Sequence, residues 1–219
     1  MLTRILSTVL LAVAPAAFAQ TYLVPEGECG DVTLHVTGAT PTSDVTRAYA
    51  FLPKQRVELK PAAGSRDYAI QVPDTNVVMA AIDFAPVING SETDTEHAKA
   101  FIRCGAIAKS DDWQRTTGIG LEIYPQWNGL MPLKPGDTMH FIVVDRTASK
   151  DNLLRDVPMD LYLTGAGLVA SGKPNSNGHV TFPYKEPGRY TVVAKYRRPD
   201  PNNASQQLVD TSTLTFEMK

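Results

Sequence analysis

The sequence has few cysteines and histidines, no long apolar run, and no excess of charge of either sign. Its 219 residues include 21 basic and 23 acidic side chains, which argues against a nucleic-acid binder that works through bulk positive charge. Hydrophobic residues make up 43% and charged residues 20%, as in a globular chain and unlike a disordered one. Sixteen prolines and 15 glycines, without a long helical periodicity, favour a β-rich fold with many turns.

The motifs of common enzyme classes are also missing. The sequence has no GxSxG, HExxH or Walker motif. Gly118-Ile119-Gly120 and Gly165-Ala166-Gly167 lack the third glycine and the helix of a dinucleotide-binding fingerprint. Four histidines leave little capacity for general-base catalysis. We therefore expect a protein that is not an enzyme.

Residues 1–19 have the features of an export signal. Arg4 is followed by the apolar run Ile5–Val13, interrupted only by Ser7 and Thr8, and Ala17-Phe18-Ala19 is a cleavage signature that places the cut before Gln20. The alternatives are a buried helix or a membrane anchor, but the run is shorter than the roughly 20 residues that span a bilayer. We expect a periplasmic or secreted protein with no transmembrane segment in the mature chain.

Cys29 and Cys104 are the two cysteines of the chain. In an oxidising compartment they are expected to form a disulfide. The bridge would close a loop of about 75 residues, worth about 4 kcal/mol in the chain-entropy model. A two-thiolate metal site is the alternative, although no CxxC motif or nearby histidine supports it.

Short runs in which apolar and polar residues alternate are the dominant pattern, typical of antiparallel strands in a sandwich. A polar stretch at 110–118 predicts the boundary between an N-terminal β-sandwich at 20–112 and a C-terminal one at 119–219. Asn177-Gly178 predicts a type I′ hairpin. The alternating runs include Val32/Leu34/Val36, Tyr68/Ile70/Val72, Met139/Phe141/Val143, Leu161/Leu163, Tyr190/Val192/Ala194/Tyr196 and Leu214/Phe216/Met218.

One helix is predicted, from about Ser91 to Ala100, with Thr93 and Glu96 at capping-box spacing. On such a helix Asp94 and His97 share a face, which would suit a divalent transition metal. Asp94, Glu96 and His97 are therefore the candidate metal ligands. The alternative is a surface helix whose N-terminal acids favour the helix dipole.

Trp113, Tyr124 and Trp127 lie near the predicted boundary. Exposed aromatic rings there would stack on sugars, whereas buried ones would fill the space between the two sandwiches. Both interpretations stay open at this point.

Seven segments of the chain carry a further signal: Lys99–Arg103, Gly120–Pro125, Leu133–Asp137, Val157–Met159, Asn177–Phe182, Pro187–Val192 and Thr213–Phe216. In these segments the sequence resembles a widespread exported bacterial family of unknown function that includes nickel-uptake accessory (NikM-like) periplasmic proteins. The resemblance implies an immunoglobulin- or prealbumin-like sandwich and a role with nickel or cobalt. Family members commonly begin the mature chain with a histidine, where this sequence has Gln20.

Together these features predict an all-β, non-catalytic periplasmic binding or accessory protein. It would assist the uptake of a transition metal such as nickel or cobalt, with an envelope transporter or outer-membrane receptor as partner. The alternative is a carbohydrate-binding or cell-surface adhesion module, and an enzyme of unrecognised type is the third hypothesis.

Overall fold

The computed structural model describes residues 20–28, 30–38, 44–52, 55–72, 77–103, 116–126, 133–146 and 152–218. These residues form strands and turns but no helix, so the predicted all-β class is confirmed. Within these ranges nothing is helical and apolar over the length that a bilayer requires. The strands are β1 Tyr22–Glu28, β2 Asp31–Thr37, β3 Val45–Leu52, β4 Gln55–Glu58, β5 Tyr68–Gln71, β6 Val77–Phe84, β7 Val87–Asn89, β8 Glu92–Arg103, β9 Leu121–Pro125, β10 Thr138–Asp145, β11 Asn152–Leu154, β12 Met159–Leu163, β13 Gly167–Gly172, β14 His179–Pro183, β15 Gly188–Asp200 and β16 Asn203–Met218.

Hydrogen bonding groups these strands into three sheets. The central sheet has the order β13-β12-β15-β16-β8-β6-β3-β4, and β7 also pairs with β8. Strands β1, β2 and β5 form a sheet that we call the N-terminal cover sheet, and β9, β10, β11 and β14 form the C-terminal cover sheet. Each cover sheet packs on one face of the central sheet.

Two hydrophobic cores lie on opposite faces of the central sheet, because side chains alternate along a strand. On β8, Ala98 and Ala100 belong to the core beneath the N-terminal cover sheet, together with Leu23 and Leu34. Phe101 belongs to the other core, which contains Phe141, Phe182, Tyr190 and Phe216. The layering of sheets is therefore as predicted, while the immunoglobulin-like detail stays a prediction.

A parallel pairing between β8 and β16 joins the two halves of the chain. It runs from Gln207 opposite Glu92 to Thr215 opposite Ala100. The other pairings between named strands are antiparallel. Strands of both halves thus lie in one continuous sheet, and the division into domains at 20–112 and 119–219 stays a prediction.

The predicted helix at 91–100 is wrong, because Ser91 lies in a turn and the residues from Glu92 onward lie in β8. The segment pairs with β7 and β6 on one side and with β16 on the other. Its apolar residues reach the cores on both faces, and capping-box spacing cannot compete with two long ladders of backbone hydrogen bonds. Tertiary pairing therefore overrides the local signal.

The predicted hairpin at Asn177-Gly178 is also wrong, since β13 pairs with β12 and β14 pairs with β10. A turn does form there, in which Gly178 N–H donates to the Asn175 carbonyl at 2.8 Å. Gly178 has φ +77°, but Asn177 does not have positive φ. The type I′ geometry needs both residues there, so this turn instead carries the chain from the central sheet to the C-terminal cover sheet.

Candidate functional site

Polar residues are buried on the face of β8 that looks toward the C-terminal cover sheet. His97 and Lys99 are 5% and 1% exposed. They share this face with Phe101 because they occupy alternate positions of the same strand. Charged side chains are rarely buried so completely unless they are paired, so their partners define the candidate site.

His97 lies between two carboxylates on neighbouring strands. Its Nδ1 is 2.8 Å from Oδ1 of Asp83 on β6. Its Nε2 is 3.9 Å from Oδ1 of Asp210 on β16. Ser212 lies directly opposite His97 in the β8–β16 register. The imidazole therefore bridges three strands across the junction of the two halves.

Arginines flank this group on both sides. Arg47 on β3 forms an ion pair with Asp83. Arg198 on β15 has Nη1 at 2.8 Å from Oδ2 of Asp210 and at 3.8 Å from Oδ2 of Asp145. We call Arg47, Asp83, His97, Asp210, Arg198, Asp145 and Ser212 the His97 cluster. With His97 protonated, its three cations balance its three carboxylates.

The carboxylates decide the protonation state of His97. Burial by itself would lower the pKa of His97, but the neighbouring Asp210 and Asp83 outweigh it and raise the pKa from 6.5 to about 9. The imidazole is therefore a cation at neutral pH, with a proton on each ring nitrogen.

A second buried group is centred on Glu122, which is fully buried on β9. Nζ of Lys99 lies 3.3 Å from Oε1 of Glu122 and 3.2 Å from the carbonyl oxygen of Ile123. The Thr117 N–H donates to Glu122 at 2.8 Å, and Arg146 Nε donates at 2.7 Å. We call Lys99, Glu122, Thr117, Tyr124 and Arg146 the Glu122 cluster.

Mutual pairing sets the charges of the Glu122 cluster. Burial lowers the pKa of Lys99, and the Glu122 carboxylate opposes this shift. Burial would raise the pKa of Glu122, but Lys99 and the hydrogen bonds from Thr117 and Tyr124 outweigh it, so the pKa lies below its ordinary value. Burial and the adjacent carboxylate raise the pKa of Tyr124. The Glu122 cluster is therefore a buried ion pair between Lys99 and Glu122. The Glu122 carboxylate also accepts hydrogen bonds from Thr117, Tyr124 and Arg146.

Ser212, His97 and Asp83 are the residue types of a nucleophilic triad, yet their arrangement does not suit that chemistry. A general base must accept the proton of the nucleophile, and a protonated imidazole cannot. Ser212 and Asp83 are also 1% and 3% exposed, so a substrate has no contact with the hydroxyl in this conformation. The group is better suited to holding strands together.

The candidate metal ligands of β8 do not converge. In a strand, Asp94 and Glu96 lie on one face and His97 on the other. The Glu96 carboxylate accepts hydrogen bonds from Thr21, the residue before β1 of the N-terminal cover sheet. The described part of the chain contains no group of three or more His, Cys, Asp or Glu side chains arranged to hold a metal ion.

Of the three candidate sugar-stacking aromatics, the structure describes only Tyr124. It is 4% exposed, with Nζ of Lys99 4.4 Å from the centre of its ring and its hydroxyl bonded to Glu122. Its ring therefore fills the core instead of facing a ligand. Trp113, Trp127 and the predicted disulfide partners Cys29 and Cys104 lie outside the described residues.

Sequence reasoning did not single out Asp83, Lys99, Glu122 or Asp210. The first three share a signal that could have revealed them, because each interrupts an otherwise apolar run: Val77–Phe84, Ala98–Ile102 and Leu121–Ile123. A charge within a strand buried on both faces must find an opposite charge nearby. No comparable signal marks Asp210, because the residues before it include several polar ones and do not form an apolar run.

Comparisons with known proteins give only remote similarities. No protein-family model matches the chain, and no curated protein does. The solved structures that match include the adhesin InvE of Yersinia pseudotuberculosis, with 13% identity over 90% of this chain and 58% of that chain and a TM-score of 0.22. A Salmonella alpha-2-macroglobulin reacted with methylamine has 11% identity, 94% and 15% coverage and a TM-score of 0.26.

A third match is SGBP-B of the Bacteroides ovatus mixed-linkage glucan utilization locus, in complex with a mixed-linkage heptasaccharide. It has 11% identity, 93% and 70% coverage and a TM-score of 0.24. The chain spans less than two thirds of the length of the first two structures. Similarities this slight carry no argument about function.

Proposed function

We propose that the chain is a non-catalytic binding protein of the bacterial envelope, exported by its first 19 residues. The observation that carries this proposal is the state of the buried polar groups. The serine, histidine and aspartate that the strands bring together are buried, and the imidazole is cationic. The Glu122 carboxylate is likewise occupied by Lys99 and Arg146. These groups stabilise the region where β8 pairs with β16. A ligand would therefore bind at the surface of the protein.

Export is tested by the mature terminus. Protein recovered from the periplasm or medium is expected to begin at Gln20, as measured by intact mass. A full-length chain in the cytoplasm would contradict the location. An envelope transporter or outer-membrane receptor is the partner proposed for an accessory role, and cross-linking in intact cells followed by mass spectrometry would identify it.

The second candidate function is carbohydrate binding or surface adhesion, and one feature of the central sheet favours it. On the face of β12 opposite the C-terminal core, half-buried Tyr162 lies two positions after Asp160. The Asp160 Oδ1 accepts a hydrogen bond from the Ser171 hydroxyl at 2.5 Å. Leu168, which pairs with Tyr162, is 56% exposed. An aromatic ring beside hydrogen-bonding groups on an open sheet face is suited to a sugar ring.

This candidate is tested by calorimetric titration with cell-surface polysaccharides. We expect Tyr162→Ala to weaken binding about tenfold, which corresponds to about 1.4 kcal/mol, and the recovered polysaccharide to be chemically unchanged. Tyr22→Ala is the matched control, since Tyr22 is a half-buried tyrosine of the N-terminal cover sheet. Equal binding by wild type and Tyr162→Ala would rule out this face, and cleaved polysaccharide would contradict a non-catalytic function.

A further inference from the structure

Two buried polar atoms of the His97 cluster have no hydrogen-bond partner among the described residues, namely Nε2 of His97 and Oγ of Ser212. Both side chains are more than nine-tenths buried. A third such atom, Oδ2 of Asp83, faces the guanidinium of Arg47 in an ion pair. Buried polar atoms in folded proteins nearly always have a hydrogen-bond partner, either from the protein or from ordered water, so a partner is expected for the first two atoms.

The two unsatisfied atoms lie beside the same carboxylate. Ser212 is directly opposite His97 across the β8–β16 pairing. Asp210 precedes Ser212 by two positions and therefore lies on the same face of β16. The 3.9 Å between Nε2 of His97 and Oδ1 of Asp210 is too long for a hydrogen bond, and a separation of this size suggests a bridging water.

We propose that His97, Asp210 and Ser212 form a binding site for one internal water molecule. The Nε2–H of His97 donates to the water, the water donates to Oδ1 of Asp210, and the Ser212 hydroxyl is the third partner. A water about 2.8 Å from both Nε2 and Oδ1 would see them at an angle of about 90° across their 3.9 Å separation. Buried waters usually have about three partners.

A neutral ligand suits these residues better than a metal ion does. A metal on Nε2 would have to displace the proton that Asp83 and Asp210 stabilise on the imidazole. It would also lie between the guanidinium groups of Arg47 and Arg198, which are paired with the same two carboxylates. Water satisfies the donor and the acceptors without changing the charge of the His97 cluster.

The bound water would complete a continuous chain of polar contacts. The chain runs from Arg47 through Asp83, His97, the water and Asp210 to Arg198, and so crosses β3, β6, β8, β16 and β15. Linked hydrogen bonds polarise one another in a low dielectric. The parallel junction between the two halves would therefore be held by one connected network.

The test is a high-resolution crystal structure at neutral pH, combined with NMR of the His97 ring protons in solution. We expect an isolated density peak within hydrogen-bond distance of all three atoms, and a cross-peak between the Nε2 proton and water. A direct contact between Nε2 and Asp210 with no such peak would overturn the proposal. A peak with the anomalous signal of a metal would also overturn it.

Ser212→Val provides the variant, because it removes the hydroxyl and adds a second methyl-sized group, so that the water loses both a partner and space. We expect both the density peak and the water cross-peak to be lost. Ser171→Val, at an exposed position of β13, is the control and should keep both. If Ser212→Val does not fold, Ser212→Ala is expected to retain the water with faster exchange. An unchanged exchange rate in that variant would refute the role of Ser212.

Discussion

Replacing His97 with glutamine tests whether the imidazole is held as a cation between Asp83 and Asp210. The pKa of His97 is raised from 6.5 to about 9 in the folded protein. At 1.36 kcal/mol per pKa unit, this shift corresponds to about 3 kcal/mol of unfolding free energy. Glutamine keeps a hydrogen-bond donor but carries no charge, so it removes this contribution.

The pH dependence follows from the direction of the shift. A group whose pKa is raised on folding binds its proton more tightly in the native state. Its stabilisation is therefore complete below the unfolded pKa of 6.5 and is lost as the pH rises through about 9. The free-energy difference between wild type and His97→Gln should fall with a slope of up to about 1.4 kcal/mol per pH unit in this window.

Urea unfolding from pH 5 to pH 10 measures this difference. The charged groups that face His97 are Asp83, Asp210, Arg47 and Arg198, and Lys99 lies on the same face of β8. Lys99 has a lowered pKa, but it is present in both proteins, so its titration cancels in the difference. His179→Gln, at a half-exposed strand position, is the control variant. A difference between wild type and His97→Gln that does not vary with pH would refute the argument.

Three further outcomes are expected. Glu122→Gln should lower the unfolding free energy by about 3–5 kcal/mol in urea titrations, because it leaves the buried Lys99 ammonium without its counter-ion. Thr213→Val should lower it by about 1–3 kcal/mol, because the hydroxyl donates to the carbonyl of Thr21, the residue before β1, at 2.9 Å. Millimolar nickel or cobalt should leave the melting temperature unchanged, because Asp94 and His97 lie on opposite faces of β8.

Each of these outcomes has a control or a contrary result. Glu58→Gln, on the exposed strand β4, should change stability by no more than about 0.5 kcal/mol. A loss as small as this in Glu122→Gln would show that the Glu122 cluster does not stabilise the fold. If Thr213→Val leaves the unfolding free energy unchanged, the hydrogen bond from the Thr213 hydroxyl to the Thr21 carbonyl does not stabilise the fold. A clear rise in melting temperature with nickel would favour the metal-uptake hypothesis.

Much of the fold could be predicted because apolar and polar residues alternate along many of its strands, and this alternation can be seen within a few residues of sequence. The alternation at Val32/Leu34 reflects burial of one face of β2, and that burial is observed. Leu214 and Phe216 are buried as their alternation indicates, but Thr213 and Thr215 on the opposite face of β16 are buried as well. The prediction failed where two local signals competed. The segment predicted as a helix has capping-box spacing at Thr93 and Glu96. It forms β8 instead, because its backbone pairs with β6 and β16 and its apolar residues are buried in the two cores. Asn177-Gly178 predicted a turn correctly and its connectivity wrongly, because a turn does not specify which strands pair.

The candidate site was less predictable than the fold. His97 drew attention because acids adjoin it in sequence, yet Asp94 and Glu96 lie on the other face of the strand. Its actual partners, Asp83 and Asp210, come from other strands. The sequence left open whether Tyr124 is exposed or buried, and the structure buries its ring, with its hydroxyl bonded to Glu122.

The sequence by itself determined that the chain would form many short, turn-linked strands, because alternation and the density of proline and glycine act within a few residues. The tertiary structure alone decided that β8 and β16 would pair in parallel and join both halves in one sheet. It also decided which charges would meet across that pairing. The physical reason is that the protonation of His97 and the burial of Glu122 depend on charges and low-dielectric surroundings supplied by residues far away in the chain, which no local pattern encodes.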